Sequence, residues 1–325
     1  MNVAVKDLEG QERCGIVLAG AKDPRLRAFI HYLRGSAVPK QYVNFIGTRS
    51  MLEHTFDRAE RLVRRECLYA VVTREHLSYP EAERQLAPRP AGTVLVQPED
   101  RDSGFGIVLA LAHIHKHRPA AAVAVFPADH FVREEELFMT QVAMALYIVE
   151  NNPSEAVLLG VEPDSAEVDY DYILADTDVD STAAPGARSV RLLVEKPDTA
   201  LAHELVASAA LWNTMTMVFR TDTAIDLMRR FSPELYGAFQ EIYRALGTRS
   251  EKMTIDTVYR RVKPRCFVNE VLQKCALASP RVRVLPVSGV FWSDWGSEPR
   301  VVESLKINGY FDRLKITADK RAQLG

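Results

Sequence analysis

The chain has 325 residues, of which 47% are hydrophobic and 26% are charged, and its formal net charge is −2. That length and composition suffice for a sizeable core, while the near-neutral charge offers no global field to nucleic acid or to an anionic membrane. Because no run reaches about 18 apolar residues and the first residues lack a signal-like apolar stretch, we predict a cytoplasmic protein without a membrane span.

Short apolar runs alternate along the chain with segments of helical periodicity. The runs are apolar throughout rather than at every second residue, which is typical of strands covered on both faces. The alternation predicts an α/β fold with an open, mostly parallel sheet and helices on both faces. The predicted strands are 15–19, 68–73, 93–97, 121–126, 155–161, 190–196 and 215–220, and the predicted helices are 50–65, 103–117, 134–151, 198–209, 221–230 and 233–245.

The last part of the chain is simpler. The sequence has no hexapeptide array of the kind that builds a β-helix appendage. After Trp295 the pattern predicts one helix, which is a candidate surface for a homodimer, and then a tail. We therefore expect one main domain over residues 13–296 and a C-terminal helix and tail over 297–325.

Polar residues directly follow several of the predicted strands. In a doubly wound α/β sheet, ligands bind outside the carboxyl ends of the strands, so these residues are the first candidates for a site. They are Gly20, Lys22 and Arg25, then Gln97, Arg101 and Gly104, then Asp129 and His130, then Glu195 and Lys196, then Asn213, and finally Asp294.

The composition of this set indicates phosphate chemistry. Two isolated acids, Asp129 and Asp294, suit a hard divalent cation such as Mg²⁺, which also takes phosphate oxygens and water as ligands. Three separated cations, Arg25, Lys40 and Lys196, suit substrates that carry several phosphates. The candidate chemistry is phosphoryl or nucleotidyl transfer.

Each candidate also has a purely structural interpretation. Asp129 can be a helix N-cap, and Asp294 can cap the last helix. The neighbours Glu195 and Lys196 can form a surface ion pair at a strand end, and Gln97 taken alone can be a structural amide.

Eight motifs in order carry a resemblance to a known family. The segments LAGAKDPRL, VPKQY, QPEDRDSGFGI, FPADHF, LLGVEPDSAEVDYDYI, VEKP, LWNTMTMVF and FWSDWG resemble those of the sugar-nucleotide pyrophosphorylases, and most of all the mannose-1-phosphate guanylyltransferases. The resemblance covers roughly residues 13 to 300. It implies a Rossmann-like nucleotidyltransferase fold and a Mg²⁺-assisted reaction of an NTP, with GTP expected, and a sugar 1-phosphate.

The resemblance also implies roles for individual residues. Arg25, Lys40 and Lys196 fall on the family's catalytic, phosphate-binding cations, and Asp129 and Asp294 fall on its metal-binding acids. The implied nucleotide contacts are Gly20, Arg25, Gln97 and Gly104, and the implied sugar-phosphate contacts are Gly160, Glu195, Lys196 and Asn213.

Three loops depart from the family pattern. The glycine-rich signature, close to LAGGxGTRL, reads LAGAKDPRL here, so Ala21 and Asp23 replace glycines and Pro24 replaces a threonine. The second nucleotide loop reads RDSGF in place of RNTAP or RGTAP. The sugar loop reads DYDYI in place of GYGYI. Glycine lets a backbone N–H approach a phosphate closely, and proline has no N–H to offer.

Two hypotheses from different classes follow. The first is an active sugar-1-phosphate nucleotidyltransferase, because the charged residues that the chemistry needs are all present. The second is a catalytically impaired relative that binds a nucleotide or sugar nucleotide in a regulatory or subunit role, because the glycine-dependent approaches are altered. A dinucleotide-dependent redox enzyme is set aside, since no GxGxxG follows a strand.

Overall fold

The computed structural model describes residues 12–22, 24–179 and 184–314. Within these ranges strands and helices alternate along most of the chain, which confirms the α/β class. The strands are β1 (Arg13–Leu18), β2 (Leu68–Thr73), β3 (Val94–Gln97), β4 (Ala122–Pro127), β5 (Phe131–Val132), β6 (Ala156–Val161), β7 (Tyr172–Val179), β8 (Arg188–Val194), β9 (Leu211–Arg220), β10 (Val282–Val287) and β11 (Trp292–Ser293). The α-helices are α1 (Arg27–Arg34), α2 (Met51–Ala59), α3 (Pro80–Leu86), α4 (Asp102–His117), α5 (Glu135–Asn151), α6 (Thr199–Ala207), α7 (Thr221–Phe231), α8 (Pro233–Ala245), α9 (Glu251–Arg261), α10 (Lys274–Ala278) and α11 (Glu298–Ile307).

The central sheet is mixed and not strictly parallel, so the prediction of a mostly parallel sheet is confirmed only in part. In the described residues it has nine strands in the order β3-β2-β1-β4-β9-β6-β10-β8-β7. The pairings among β1, β2, β3 and β4 and the β6–β10 pairing are parallel, but β9 runs antiparallel to both β4 and β6. Strands β7 and β8 also pair antiparallel to their neighbours. A continuous apolar run indicates that a strand is covered on both faces, but it does not indicate the direction in which the strand runs.

Local signals fix several element ends. Helix α2 begins at a capping box, in which the Ser50 Oγ accepts from the Glu53 N–H at 3.1 Å and the Glu53 carboxylate accepts from the Ser50 N–H at 2.7 Å. Helix α1 ends at Gly35, whose φ of 76° is the left-handed conformation that glycine adopts without penalty. Strand β2 is buried at all six positions, as expected for a strand covered on both faces.

A second, two-stranded sheet joins the two acid-bearing loops. Strands β5 and β11 pair antiparallel, with Trp292 opposite Val132 and Ser293 opposite Phe131. The Trp295 ring stacks on the Phe131 ring with centroids 4.7 Å apart. Because Asp129 lies two residues before β5 and Asp294 directly follows β11, this pairing brings the two acids to the same edge of the main sheet.

The described residues include no helix that is both long enough and apolar enough to cross a membrane. The four cysteines are free, and three of them are buried.

Candidate active site

The predicted site residues lie along one edge of the main sheet. Gly20 lies two residues after β1, Gln97 ends β3, and Asp129 lies two residues after β4. The strand ends are in register, since Leu18 pairs with Pro127 and Thr73 pairs with Gln97. Antiparallel β9 begins where the parallel strands end, so its residue Asn213 reaches the same edge.

Lys40 connects the two acid-bearing loops at the centre of this edge. It lies in a short 3-10 turn (Lys40–Tyr42), and it is only 5% exposed. Its Nζ is 3.0 Å from the Asp129 Oδ2 and donates to the Asp294 backbone oxygen at 2.7 Å. Lys40 therefore contacts the Asp129 carboxylate and the Asp294 backbone, and it ties together the two loops that carry the implied metal ligands.

The charge on Lys40 controls the ionisation of Asp129. Burial works to raise the pKa of Asp129, but the positive charge of Lys40 and its neighbours lowers it by more, so the net shift is downward. The neighbouring His130 has a lowered pKa, because burial outweighs the attraction of Asp129 and Asp294. A carboxylate beside a neutral imidazole is expected at neutral pH.

The Asp294 carboxylate is held in a fixed position. Its Oδ1 accepts from the Gly296 N–H at 2.9 Å and from the Arg300 Nη1 at 2.6 Å. It does not cap the last helix, whose N-cap residue is Ser297. The next residue, Trp295, has a φ of +47°, a conformation that costs a bulky residue roughly 1–3 kcal/mol. Strain of this kind is tolerated where surrounding contacts fix the backbone, as the ring stack does here.

Asp129 and Asp294 fit a hard divalent cation by the chemistry of their donors. Among residues 12–22, 24–179 and 184–314 no three or more His, Cys, Asp or Glu side chains form a metal-binding group. Mg²⁺ commonly takes one or two carboxylates and completes its shell with phosphate oxygens and water. Two acids on loops that Lys40 ties together are therefore a suitable protein share for Mg²⁺ bound together with a phosphorylated substrate.

Two glutamine side chains contact the first nucleotide loop, which follows β1. A Cβ at Gly20 would lie 2.2 Å from the Gln97 Nε2, so these two predicted nucleotide residues are in contact. Gln97 is 2% exposed, and its Oε1 accepts from the Tyr259 hydroxyl at 3.2 Å. The Gln41 Nε2 donates to the Ala19 oxygen at 2.7 Å and to the Ala21 oxygen at 3.2 Å. Sequence reasoning missed Gln41, although it is part of the quoted VPKQY motif.

Asp23, which replaces a glycine of this loop, lies outside the described residues, so the effect of its negative charge on a bound triphosphate stays a prediction. The adjacent Lys22 pairs with Glu75, and both side chains are about half exposed. The pair raises the pKa of Lys22 and lowers that of Glu75.

The start of α4 satisfies its own backbone donors. The Asp100 Oδ1 accepts from the Asp102 N–H at 2.9 Å, and the Asp102 Oδ1 accepts from the Ser103 N–H at 2.5 Å. Asp102 adopts a φ of +68°. Free N–H groups at a helix start are what a phosphate would use. Two carboxylates take up these donors here.

Gly104 has a packing reason for its missing side chain. Its N–H donates to the Arg265 oxygen at 2.8 Å, and a Cβ would lie 2.5 Å from that oxygen. The structure thus places the predicted nucleotide residue Gly104 against protein backbone.

Gly104→Ala is expected to destabilise the protein by about 2 kcal/mol, because the clash is with backbone that cannot rotate away. The matched control is Gly237→Ala in α8, where a Cβ would meet nothing within 4 Å. That control should be neutral or stabilising by up to about 1 kcal/mol. Urea denaturation of both variants measures the difference, and equal stabilities would refute the packing argument.

The predicted sugar-side residues surround Asp171. The Asn213 N–H donates to the Asp171 backbone oxygen at 2.8 Å, and the Lys196 N–H donates to the Asp171 Oδ1 at 3.2 Å. Gly160 pairs with Asn213 across β6 and β9. Glu195 and Lys196 are both exposed. The Glu195 carboxylate accepts from the Asn269 side chain, and the predicted surface ion pair between Glu195 and Lys196 is not formed.

Gly160 is constrained by packing as well. A Cβ there would lie 2.8 Å from the Leu211 Cβ and 3.2 Å from a Val284 methyl. Its lack of a side chain is required by the sheet, whatever else it contacts.

Asp171 is an unusual acid. Burial, followed by the charge of Glu195, raises its pKa to about 6. Because the folded pKa exceeds the unfolded value, the stability linked to its proton is complete at low pH and is lost as the pH rises through about 6. Asp171→Asn should therefore raise the melting temperature by about 2 °C at pH 7.5 and leave it nearly unchanged at pH 4. Thermal melts at both pH values test this, and a loss of stability at pH 7.5 would contradict it.

Two arginines meet the altered sugar loop. The Arg25 Nη1 is 3.7 Å from the Asp169 Oδ2, and the Arg300 Nη2 is 3.5 Å from the same oxygen. The Arg300 guanidinium also lies over the Tyr170 ring, 4.2 Å from its centroid. Arg25 was predicted at the site, but Arg300 was not, because one arginine in a surface-like helix carries no sequence signal.

Asp129, Asp294 and Lys40 thus come from loops at the strand-end edge of an α/β sheet, which is where ligands bind in sheets of this kind. The chain belongs to the nucleotidyl transferase family, whose model matches residues 14–305.

Curated relatives agree with this assignment. The xanthan biosynthesis protein XanB of Xanthomonas campestris pv. campestris (strain B100) is 29% identical over 242 residues, which are 74% of this chain and 48% of that protein. The mannose-1-phosphate guanylyltransferase of Salmonella muenchen is 26% identical over 263 residues, covering 80% of this chain and 53% of that protein. The chain thus spans about half the length of the curated relatives it matches.

A solved structure shares the fold. The protein described as mannose-1-phosphate geranyltransferase from Thermus thermophilus superposes with a TM-score of 0.73 at 24% identity, covering 88% of this chain and 77% of that chain. At this identity the likeness concerns the fold alone.

Proposed function

We propose that this chain is a sugar-1-phosphate nucleotidyltransferase that converts an NTP and a sugar 1-phosphate into an NDP-sugar and pyrophosphate. The observation that carries the proposal is the Lys40 contact to both acid-bearing loops, at 3.0 Å from the Asp129 carboxylate and 2.7 Å from the Asp294 carbonyl. This contact ties the two acid-bearing loops together and places a buried positive charge beside Asp129 at the ligand-binding edge of the sheet.

The proposed reaction needs no protein nucleophile. A phosphate oxygen of the sugar 1-phosphate attacks the α-phosphorus of the NTP in line, and pyrophosphate leaves. Asp129 and Asp294 would hold Mg²⁺, which when bound neutralises phosphate charge. Lys40 keeps these acids in place, and Arg25 and Lys196 supply positive charge toward the phosphates. The protein's share of catalysis is positioning and electrostatic stabilisation.

The finer proposal is mannose 1-phosphate and GTP. It is supported by the Salmonella muenchen relative, which is named a mannose-1-phosphate guanylyltransferase, and by the quoted motifs. On the sugar side, Asp169 and Asp171 provide carboxylates that can accept from sugar hydroxyls. Magnesium dependence, a cytoplasmic location and a homodimer remain predictions of the same proposal.

A second candidate, a binding protein without turnover, is favoured by one specific observation. The carboxylates of Asp100 and Asp102 occupy the first N–H donors of α4, where a phosphate or base-side contact would otherwise be made. Such a protein would bind a nucleotide or sugar nucleotide and release no pyrophosphate.

The test is a pyrophosphate-release assay over a panel of NTPs and sugar 1-phosphates, with Mg²⁺ and with EDTA. Release that requires both substrates and Mg²⁺, and that is fastest with GTP and mannose 1-phosphate, is the expected result. Calorimetry with the same ligands separates the two candidates. Binding without release for every pair would refute the transferase and support the binding protein.

A further inference from the structure

Arg300 holds three carboxylates at once. This α11 residue is 13% exposed, and its Nη1 lies 2.6 Å from the Asp294 Oδ1. Its Nη2 lies 3.3 Å from the Glu167 Oε2 and 3.5 Å from the Asp169 Oδ2. The guanidinium is therefore shared between one acid of the proposed metal site and two acids of the sugar loop.

The Arg300 guanidinium occupies a carboxylate oxygen of Asp294 that a metal ion could also use. The Asp294 Oδ1 already accepts from Arg300 and from the Gly296 N–H at 2.9 Å, which uses both of its lone pairs. A divalent cation at Asp294 would also face the positive charge of the guanidinium at short range. The second oxygen of the carboxylate can still bind a cation, so metal and arginine compete through their like charges and not for the same lone pairs.

The surroundings give the guanidinium an alternative position. Glu167 and Asp169 are 40% and 46% exposed and already within 3.5 Å of Nη2. The face of Tyr170 supports the guanidinium, and the Tyr170 hydroxyl lies 3.2 Å from the Ser293 Oγ. A small rotation would keep two of the three carboxylates as partners while freeing Asp294.

We propose that Arg300 is a resident counter-ion of Asp294 that competes with the divalent cation and passes to Glu167 and Asp169 when the cation binds. Arg300 is in this view a positioning residue, which couples metal occupancy to the sugar loop at residues 167–171. The inference rests on the proposed function only in taking Asp294 as a metal ligand.

The test is a Mn²⁺ titration of the protein without nucleotide or sugar, followed by electron paramagnetic resonance of free Mn²⁺. Arg300→Ala is expected to bind Mn²⁺ at least about tenfold tighter than the wild-type protein, because a nearby positive charge is removed. Arg300→Lys keeps the charge and should stay within about threefold of wild type. The matched control is Arg229→Ala, an arginine of α7 that is 58% exposed and pairs with Asp226. It should not change the affinity.

A second variant probes the alternative position. Glu167→Gln removes one acceptor from the sugar loop, so it should weaken Mn²⁺ binding in the wild-type background and have little effect in the Arg300→Ala background. This cycle separates transfer of the guanidinium from a simple loss of negative charge, which would act equally in both backgrounds. Melting curves establish that each variant is folded.

Several outcomes would overturn the inference. They are equal or weaker Mn²⁺ binding by Arg300→Ala, an equal effect of Glu167→Gln in both backgrounds, and unchanged Mn²⁺ binding by Asp294→Asn. Failure of the proposed function appears differently, as absent pyrophosphate release in the substrate assay. The predicted shift in Mn²⁺ affinity can be observed in either case.

Discussion

Lys40→Met is expected to lower the free energy of unfolding by about 3 kcal/mol and to abolish measurable pyrophosphate release. Removing one partner of a buried ion pair typically costs about 3–5 kcal/mol, because the other charge is left without compensation. The lower end applies here, since 22% of the Asp129 side chain remains exposed. The variant also loses the contact to the Asp294 carbonyl, so the two acid-bearing loops are no longer tied together.

Urea denaturation at pH 7 and at pH 3 measures the effect on stability. Because the pKa of Asp129 is lowered in the folded protein, the pair stabilises at neutral pH, and its contribution is lost as the pH falls through the lowered pKa. The stability deficit of Lys40→Met should therefore shrink at pH 3.

Two further variants sharpen this prediction. Adding Asp129→Asn to Lys40→Met should recover much of the lost stability, since it removes the orphaned charge. Lys252→Met, at an exposed lysine of α9, should be nearly neutral. A double variant as unstable as Lys40→Met alone would show that the ion pair is not the cause.

Most helices followed from the apolar periodicity. The predictions 221–230 and 233–245 agree with α7 and α8 to within one residue. The helix predicted over 50–65 ends at Ala59, because the chain must turn there to enter the buried strand β2. The sequence pattern shows which residues are apolar, but the end of α2 depends on the turn that leads into β2.

Two strands of the central sheet were not predicted, for different reasons. Strand β7 becomes polar in its second half, with the letters DTDV, so it lacks the apolar run of a covered strand. Strand β10 contains Pro286, a residue that normally argues against a strand within a sheet. Both strands lie in the half of the sheet that contains antiparallel pairs, and without them the mixed topology could not be deduced.

The sequence identified the acids of the candidate site, but it did not indicate the contacts that hold them in place. Their positions after predicted strands made Asp129 and Asp294 candidates, and the structure links their two loops through Lys40. The β5–β11 pairing that achieves this convergence involves only two residues on each strand, too few for a periodic signal. The Arg300 Nη1 lies 2.6 Å from the Asp294 Oδ1, and this contact exists only in the folded chain, so the sequence gives no sign of it.

Asp294→Asn is expected to reduce pyrophosphate release by at least about a thousandfold, a loss in the range of several kcal/mol that charge stabilisation at a reaction centre supplies. The carbonyl of the amide can still accept from the Gly296 N–H and from Arg300. The bond from Lys40 goes to the backbone and is kept. The melting temperature should therefore change little, in contrast to Lys40→Met.

The comparison between these two variants separates an effect on the reaction from an effect on the stability of the fold. Asp294→Asn removes one negative charge and the ionic part of the Arg300 contact but keeps acceptors for the hydrogen bonds that hold the loop, whereas Lys40→Met removes the contacts themselves. Activity assays at saturating Mg²⁺ and melting curves are measured on the same preparations, with Asp312→Asn at an exposed position as the control. If Asp294→Asn kept wild-type turnover, the ionised carboxylate would have no part in the reaction, and Lys40 would then be important for the fold alone.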